Sequence, residues 1–213
     1  NEKTLLGLNQ CIQEELESGK LIGISLKKMQ SGASLSAKNV FGDMKFNKDY
    51  AGYEYSGKSI DGYVKLSGGT KIQFRSFGTG LGLTGFQGEV KGANANQGKI
   101  GLGPTNMILR SHGASEIPTN AASRVRTDPD GVFNEIAVGL KKYGRLTQKQ
   151  IEEVRESEKI NTPKFLYSKL QVTQLLNILE SITNRDKRNQ LVEDLYLYAS
   201  SQSRFSSAYY KLE

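Results

Sequence analysis

Glycine is spread unevenly along these 213 residues: twenty of the 23 glycines precede residue 114 and three follow it. Each glycine in a helix interior costs about 1 kcal/mol relative to alanine, whereas tight turns use its freedom at positive φ. The first half is therefore expected to be short strands and turns, and the second half helices. The fold class that follows is α+β: a mixed central sheet of about five to six strands, flanking helices and a helical C-terminal half. Three regions are expected. Residues 1–113 form a strand-rich core with an N-terminal helix, and 114–129 a polar linker carrying Pro118 and Pro129. Residues 130–213 form a helical region with a last strand returning to the sheet.

Hydrophobic periodicity fills in this outline. Leu5, Leu8, Ile12 and Leu16 recur at helical spacing among Glu14, Glu15 and Glu17, and Gly19 supplies a stop, so Thr4–Ser18 is a helix. Leu21–Lys27 and Ser34–Phe41 read as strands, and 42–58 as a long loop carrying Tyr50, Tyr53 and Tyr55. Ile60–Leu66 and Lys71–Phe77 flank Ser67-Gly68-Gly69-Thr70. With Ile72 and Phe74 alternating against Gln73 and Arg75, they predict a hairpin. Phe86–Lys91 is the next strand and Ile100–Leu109 a short helix. Helices follow at Asp130–Tyr143, at Gln148–Glu158 behind a Thr147 cap, at Lys164–Thr183 and at Arg185–Ser200. Phe205–Leu212 alternates as a final strand.

Composition narrows the chemistry. The single Cys11 excludes an intrachain disulfide and a cysteine-based zinc site. The single His112, read as a loop residue, excludes a multi-histidine metal centre. Any metal would be a hard cation on carboxylates. No run reaches the roughly 18 apolar residues of a membrane span, and the start shows no secretion-signal pattern. The chain opens at Asn1 and not Met, as a processed product or a fragment would. Its net charge is +7. Residues 1–125 hold 15 basic against 10 acidic residues, and 126–213 hold 14 against 12, so the excess sits mostly in the glycine-rich half. Such a balance suits nucleic acid or another acidic surface, and equally ordinary solubility.

The stretch Phe86–Gly103, FQGEVKGANANQGKIGLG, carries the most chemistry. Glu89 and Lys91 share one face of a strand. A carboxylate there can hold Mg²⁺, and a lysine beside it can polarise a phosphate, as phosphodiester hydrolysis requires. Asp61, on an earlier strand, is the candidate second metal carboxylate. Lys27, sharing a face with Ser25, is an alternative catalytic lysine with Glu89 as its partner. Lys28, Lys71, Arg75 and Lys99 are candidates for holding a nucleic-acid backbone. Tyr50, Tyr53 and Tyr55 either stack on bases or pack down their loop. The glycine-rich loop lacks the G-x-x-x-x-G-K-[ST] spacing of a P-loop ATPase.

The segments LIGISLKK, FQGEVKG…GKIGLGP and YASSQSRFSSAYYKL resemble a set of tailed-phage proteins that is similar to the PD-(D/E)xK nuclease superfamily. That resemblance implies an Asp on one strand and acid-x-Lys on the next, binding Mg²⁺ beside the scissile phosphate. In one register Ser25-Leu26-Lys27 takes the acid-x-Lys position, with Ser25 departing from the acid. In the other, Asp61 and Glu89-Val90-Lys91 fill the pattern. The expectation is a phage DNA-acting protein with Mg-dependent, nuclease-like hydrolysis, in the cytoplasm of an infected host or in the virion. Its partners would be DNA and a virion or phage protein, with no membrane. The alternative is a non-catalytic DNA-binding or virion structural protein on a degenerate nuclease scaffold. A third is an interaction module docking through its helical half.

Overall fold

The Gly68-Gly69 pair turns the chain with φ near +74° and +79°, which only glycine adopts at little cost, and joins strands β4 (Gly62–Leu66) and β5 (Lys71–Ser76) in an antiparallel hairpin. In the computed structural model, residues 5–21, 24–25, 35–38, 48–77, 83–92, 98–200 and 209–212 are described. Three more strands extend the hairpin: β3 (Tyr50–Tyr55), β6 (Phe86–Lys91) and β7 (Lys99–Gly101). The result is a five-stranded, wholly antiparallel sheet in the order β3-β4-β5-β6-β7. Its edges are blunted, β7 by being only three residues long and β3 by a register shift between Tyr50 and Tyr53.

A second, small sheet is mixed. The strand β8 (Tyr209–Leu212) lies between β1 (Ile24–Ser25), to which it is parallel, and β2 (Leu35–Lys38), to which it is antiparallel. One central mixed sheet was expected, with the last strand returning to it. There are two sheets, and β8 belongs to the smaller one. The N-terminal helix α1 is present at Leu5–Glu17.

Six further helices follow: α2 (Leu102–Ser111), α3 (Ala121–Thr127), α4 (Pro129–Lys142), α5 (Gln148–Glu156), α6 (Pro163–Ser181) and α7 (Arg185–Ala199). The protein is thus a mixed α+β structure with seven helices among the described residues. Their starts are set by local chemistry. Asp128 accepts from the Gly131 amide ahead of Pro129, Thr162 from Phe165 ahead of Pro163, and Asn184 from Lys187. Thr147 and Gln150 form a reciprocal capping box. No helix among the described residues is long and apolar enough to cross a membrane.

Three sequence expectations are corrected. The long loop at 42–58 contains β3. The short helix expected over Ile100–Leu109 is present but starts later, as α2, with Ile100 and Gly101 in strand β7. The polar linker 114–129 contains α3, and Ile117, Ala121 and Val125 are buried in the core.

The inner face of the large sheet presents Val64, Leu66, Ile72, Phe74, Phe86, Val90 and Ile100 to one continuous core. Helix α6 packs on β5, and α7 on β3, β6 and β7. Helices α3 and α4 cover the far side of α6. Being a middle layer, α6 is buried almost all round and has no polar face to spend on water. Gly62 makes the sheet–helix approach close enough that any Cβ there would overlap the Val172 side chain.

The buried polar residues of α6 finish what the sheet leaves open. The β4–β5 ladder ends at Gly62 opposite Phe74, so backbone groups beyond it need other partners. Ser168 Oγ donates to the Ile60 carbonyl at 2.9 Å and accepts from the Ser76 amide at 3.0 Å. Lys169 Nζ donates to the Asp61 carbonyl at 2.7 Å. One turn on, the hydroxyls of Thr173 and Tyr55 share a hydrogen bond of 2.6 Å.

Candidate nucleic-acid interface

Side chains alternate along each strand, so the residues between the core positions form the outer face of the large sheet. The register lines them up. Lys65, Lys71 and Lys91 stand directly opposite one another across β4, β5 and β6. The neighbouring row reads Glu54, Tyr63, Gln73, Glu89 and Lys99 across all five strands. Beyond it, Arg75 stands opposite Gln87.

This face is open to solvent. The side chains of Lys65, Lys71, Arg75 and Lys91 keep 35–44 % of their surface exposed.

Among the described residues, two carboxylates serve four lysines here. Glu54 pairs with Lys71 at 2.6 Å and more loosely with Lys65 at 3.9 Å. Glu89 pairs with Lys91 at 2.6 Å and faces Lys99 across the ladder. The hydrogen bond from Lys91 holds the Glu89 carboxyl below the usual carboxylate range. The charges of Lys99 and Arg75 add to this, and partial burial opposes it. Asp61 lies just before β4. Its carboxylate accepts from Ser59 at 2.8 Å and stands 3.6 Å from the Arg75 guanidinium. With Asp61 included, five cations face three carboxylates among the described residues.

Like charges directly opposite on a sheet are destabilising, and exposed ion pairs return only about 0–1 kcal/mol. Folding stability alone does not account for a row of three lysines.

Two aromatic rings belong to the same face. Tyr63 lies under Lys71, whose Nζ is 5.6 Å from the ring centre, and its hydroxyl accepts from the buried Gln73 amide at 3.1 Å. Phe77 lies against the Arg75 guanidinium at 4.4 Å and Lys99 Nζ at 5.2 Å.

The structure therefore brings together Glu89, Lys91, Lys71, Arg75 and Lys99 on one surface. Lys27 and Lys28 lie outside the described residues. Asp61 and Glu89 stand beside different cations, Arg75 and Lys91. They are two strands apart and two residues out of step, a Cα separation of about 12 Å from standard sheet spacings. Arg75 stands on the strand between, and each carboxylate is turned to a different cation. One Mg²⁺ held by both would draw their oxygens to within about 4 Å of each other. Among the described residues no group of three or more His, Cys, Asp or Glu is placed to hold a metal ion.

Tyr50, Tyr53 and Tyr55 are not stacking platforms on this face. They point inward from β3. Tyr50 donates to Glu180 at 2.6 Å, and Tyr53 and Tyr55 meet the Tyr143 ring edge-on. His112 is not a free loop residue. It caps the C-terminus of α2, nearly buried, with Nε2 2.7 Å from an Asp194 carboxylate oxygen on α7.

Sequence reading missed Lys65, Tyr63 and Phe77. Each has the strand parity of Lys71 and Arg75, and that parity is the signal that finds them. The chain matches no protein-family model, no curated protein and no solved structure.

Proposed function

We propose that this protein binds nucleic acid through the outer face of its five-stranded sheet and does not cleave it. The observation that carries the reading is the row Lys65–Lys71–Lys91. Three exposed ammonium groups sit at fixed register, under-neutralised by Glu54 and Glu89, with Arg75 and Lys99 alongside. Cations held on strands at ladder spacing are pre-positioned for the regularly spaced phosphates of a polynucleotide, and binding them releases condensed counterions.

The test is DNA binding measured by anisotropy between 50 and 200 mM salt. The expected result is a linear fall of log affinity with log salt. In Lys71→Ala or Lys91→Ala the slope should be shallower by about 0.7–0.9 per lysine removed. Binding that ignores salt, or slopes that these changes leave untouched, would sink the reading.

Hydrolysis is the second reading. It is favoured by Glu89 and Lys91, joined side by side as an acid-x-Lys pair requires. It needs a second carboxylate near Glu89, and Asp61 is committed to Ser59 and Arg75. Incubating DNA with the protein in Mg²⁺, Mn²⁺ or EDTA separates the two. No cleavage is expected. Metal-dependent cleavage lost in both Glu89→Ala and Lys91→Ala would put hydrolysis in place of binding.

A further inference from the structure

We infer that the nucleic acid this face takes is single-stranded, with bases stacking on Phe77 and Tyr63. The inference rests on the binding reading above and names its substrate class. The surface is a sheet face built from strands alone, and the major groove of a duplex is read by an inserted helix or two-stranded ribbon. What it offers instead is the pairing that single strands use: cations for the backbone and aromatic rings for unpaired bases.

The arrangement has a direction. The outward residues of β5 are, in order, Lys71, Gln73 and Arg75, and Phe77 follows at its end. Tyr63 stands beside Gln73 on β4, and Lys99 reaches Phe77 from β7. The two rings are about 14 Å apart by standard strand spacings. A strand lying along β5 therefore meets Lys71 and Tyr63 at one end and Arg75, Lys99 and Phe77 at the other.

Both rings already carry cations: Lys71 on Tyr63, and Arg75 with Lys99 on Phe77. An incoming phosphate draws these cations off the rings, and the ring surface they leave is what a base stacks on. One event thus supplies both halves of the contact. A duplex, whose bases are already stacked on one another, can use only the first half.

The experiment compares a 20-nucleotide oligo(dT) with a 20-base-pair duplex at the same salt, in the unaltered protein and in Phe77→Leu, Tyr63→Leu and Lys71→Ala. The single strand is expected to bind at least ten-fold more tightly than the duplex. Each aromatic replacement should remove about ten-fold of that affinity without lowering the duplex affinity, and should leave the salt slope unchanged. Lys71→Ala should lower the slope for both nucleic acids.

The protein contains no tryptophan. In Phe77→Trp, binding should be retained and the single indole should be quenched by oligo(dT) and not by duplex, a readout that stands even if a leucine variant unfolds. Equal affinity for the two forms, or an indole that oligo(dT) does not quench, overturns the single-strand inference while leaving salt-dependent binding intact. No binding to either form overturns the binding reading itself.

Discussion

Lys169 sits where a lysine is costly. None of its surface reaches solvent, its Nζ lies 4.1 Å from the centre of the Tyr55 ring, and its one hydrogen bond is to the Asp61 carbonyl. Burial drives its pKa from 10.5 down to about 7, with the Asp61 charge pulling weakly the other way. The unfolded chain keeps the proton up to about pH 10.5, so between pH 7 and 10.5 the unfolded state binds more protons than the folded one. Stability therefore rises with pH across that window, on the order of a few kcal/mol. The penalty is fully present below pH 7 and gone above 10.5. Tyr50 and Tyr55 act in the opposite sense. Burial raises both far above 10, with Glu180 adding to the effect on Tyr50, so above pH 10 the unfolded chain loses protons that the fold retains. Urea midpoints should climb from pH 7 towards 10 and then fall. Lys169→Met should abolish the climb and keep the fall. A midpoint that stays flat from pH 7 to 10 in the unaltered protein would show that Lys169 keeps its ordinary pKa.

At the scale of elements, the sheet–helix contact depends on what is missing from Gly62, because a methyl group there meets Val172 on α6. Overpacking of this kind costs about 1–3 kcal/mol. Gly62→Ala should lower the thermal midpoint by several degrees, and Val172→Ala in the same chain should restore part of the loss. If the double variant is no better than the single one, the clash lies elsewhere. The same element scale decides what the sequence could show. The Lys71–Phe77 alternation, the Gly68-Gly69 turn and the Thr147 cap are local signals, and each marks its element. Strand β3 was hidden because it carries a glycine and a register shift, and because its inward positions are tyrosines, which a loop also carries. The buried Ser168, Lys169 and Thr173 of α6 were hidden because their partners lie more than 90 residues away. The lysine row shares that difficulty. Strand parity puts Lys71 and Lys91 outward, but their alignment depends on the register across the long β5–β6 connection, which no local pattern fixes.

The largest scale joins what composition divides. The glycine-rich half supplies the large sheet, and the helical half supplies α6 and α7, which cover its inner face. Ile72, Val90 and Ile100 from the first half are as fully buried as Leu170, Leu191 and Leu195 from the second. Among the described residues it is α6 and α7 that pack across β3, β5, β6 and β7. The sheet and the helices should therefore unfold together, with far-UV ellipticity and tyrosine emission tracing one urea transition. A chain ending at residue 113 keeps the five strands of the large sheet and α2 but leaves Val64, Ile72, Phe74 and Val90 facing water. A patch of that size drives association, not folding. That fragment should show no cooperative transition and should aggregate. A soluble 1–113 fragment with its own sharp transition would establish that the shift in glycine content marks a true domain boundary, and that α6 and α7 dock on a sheet already stable without them.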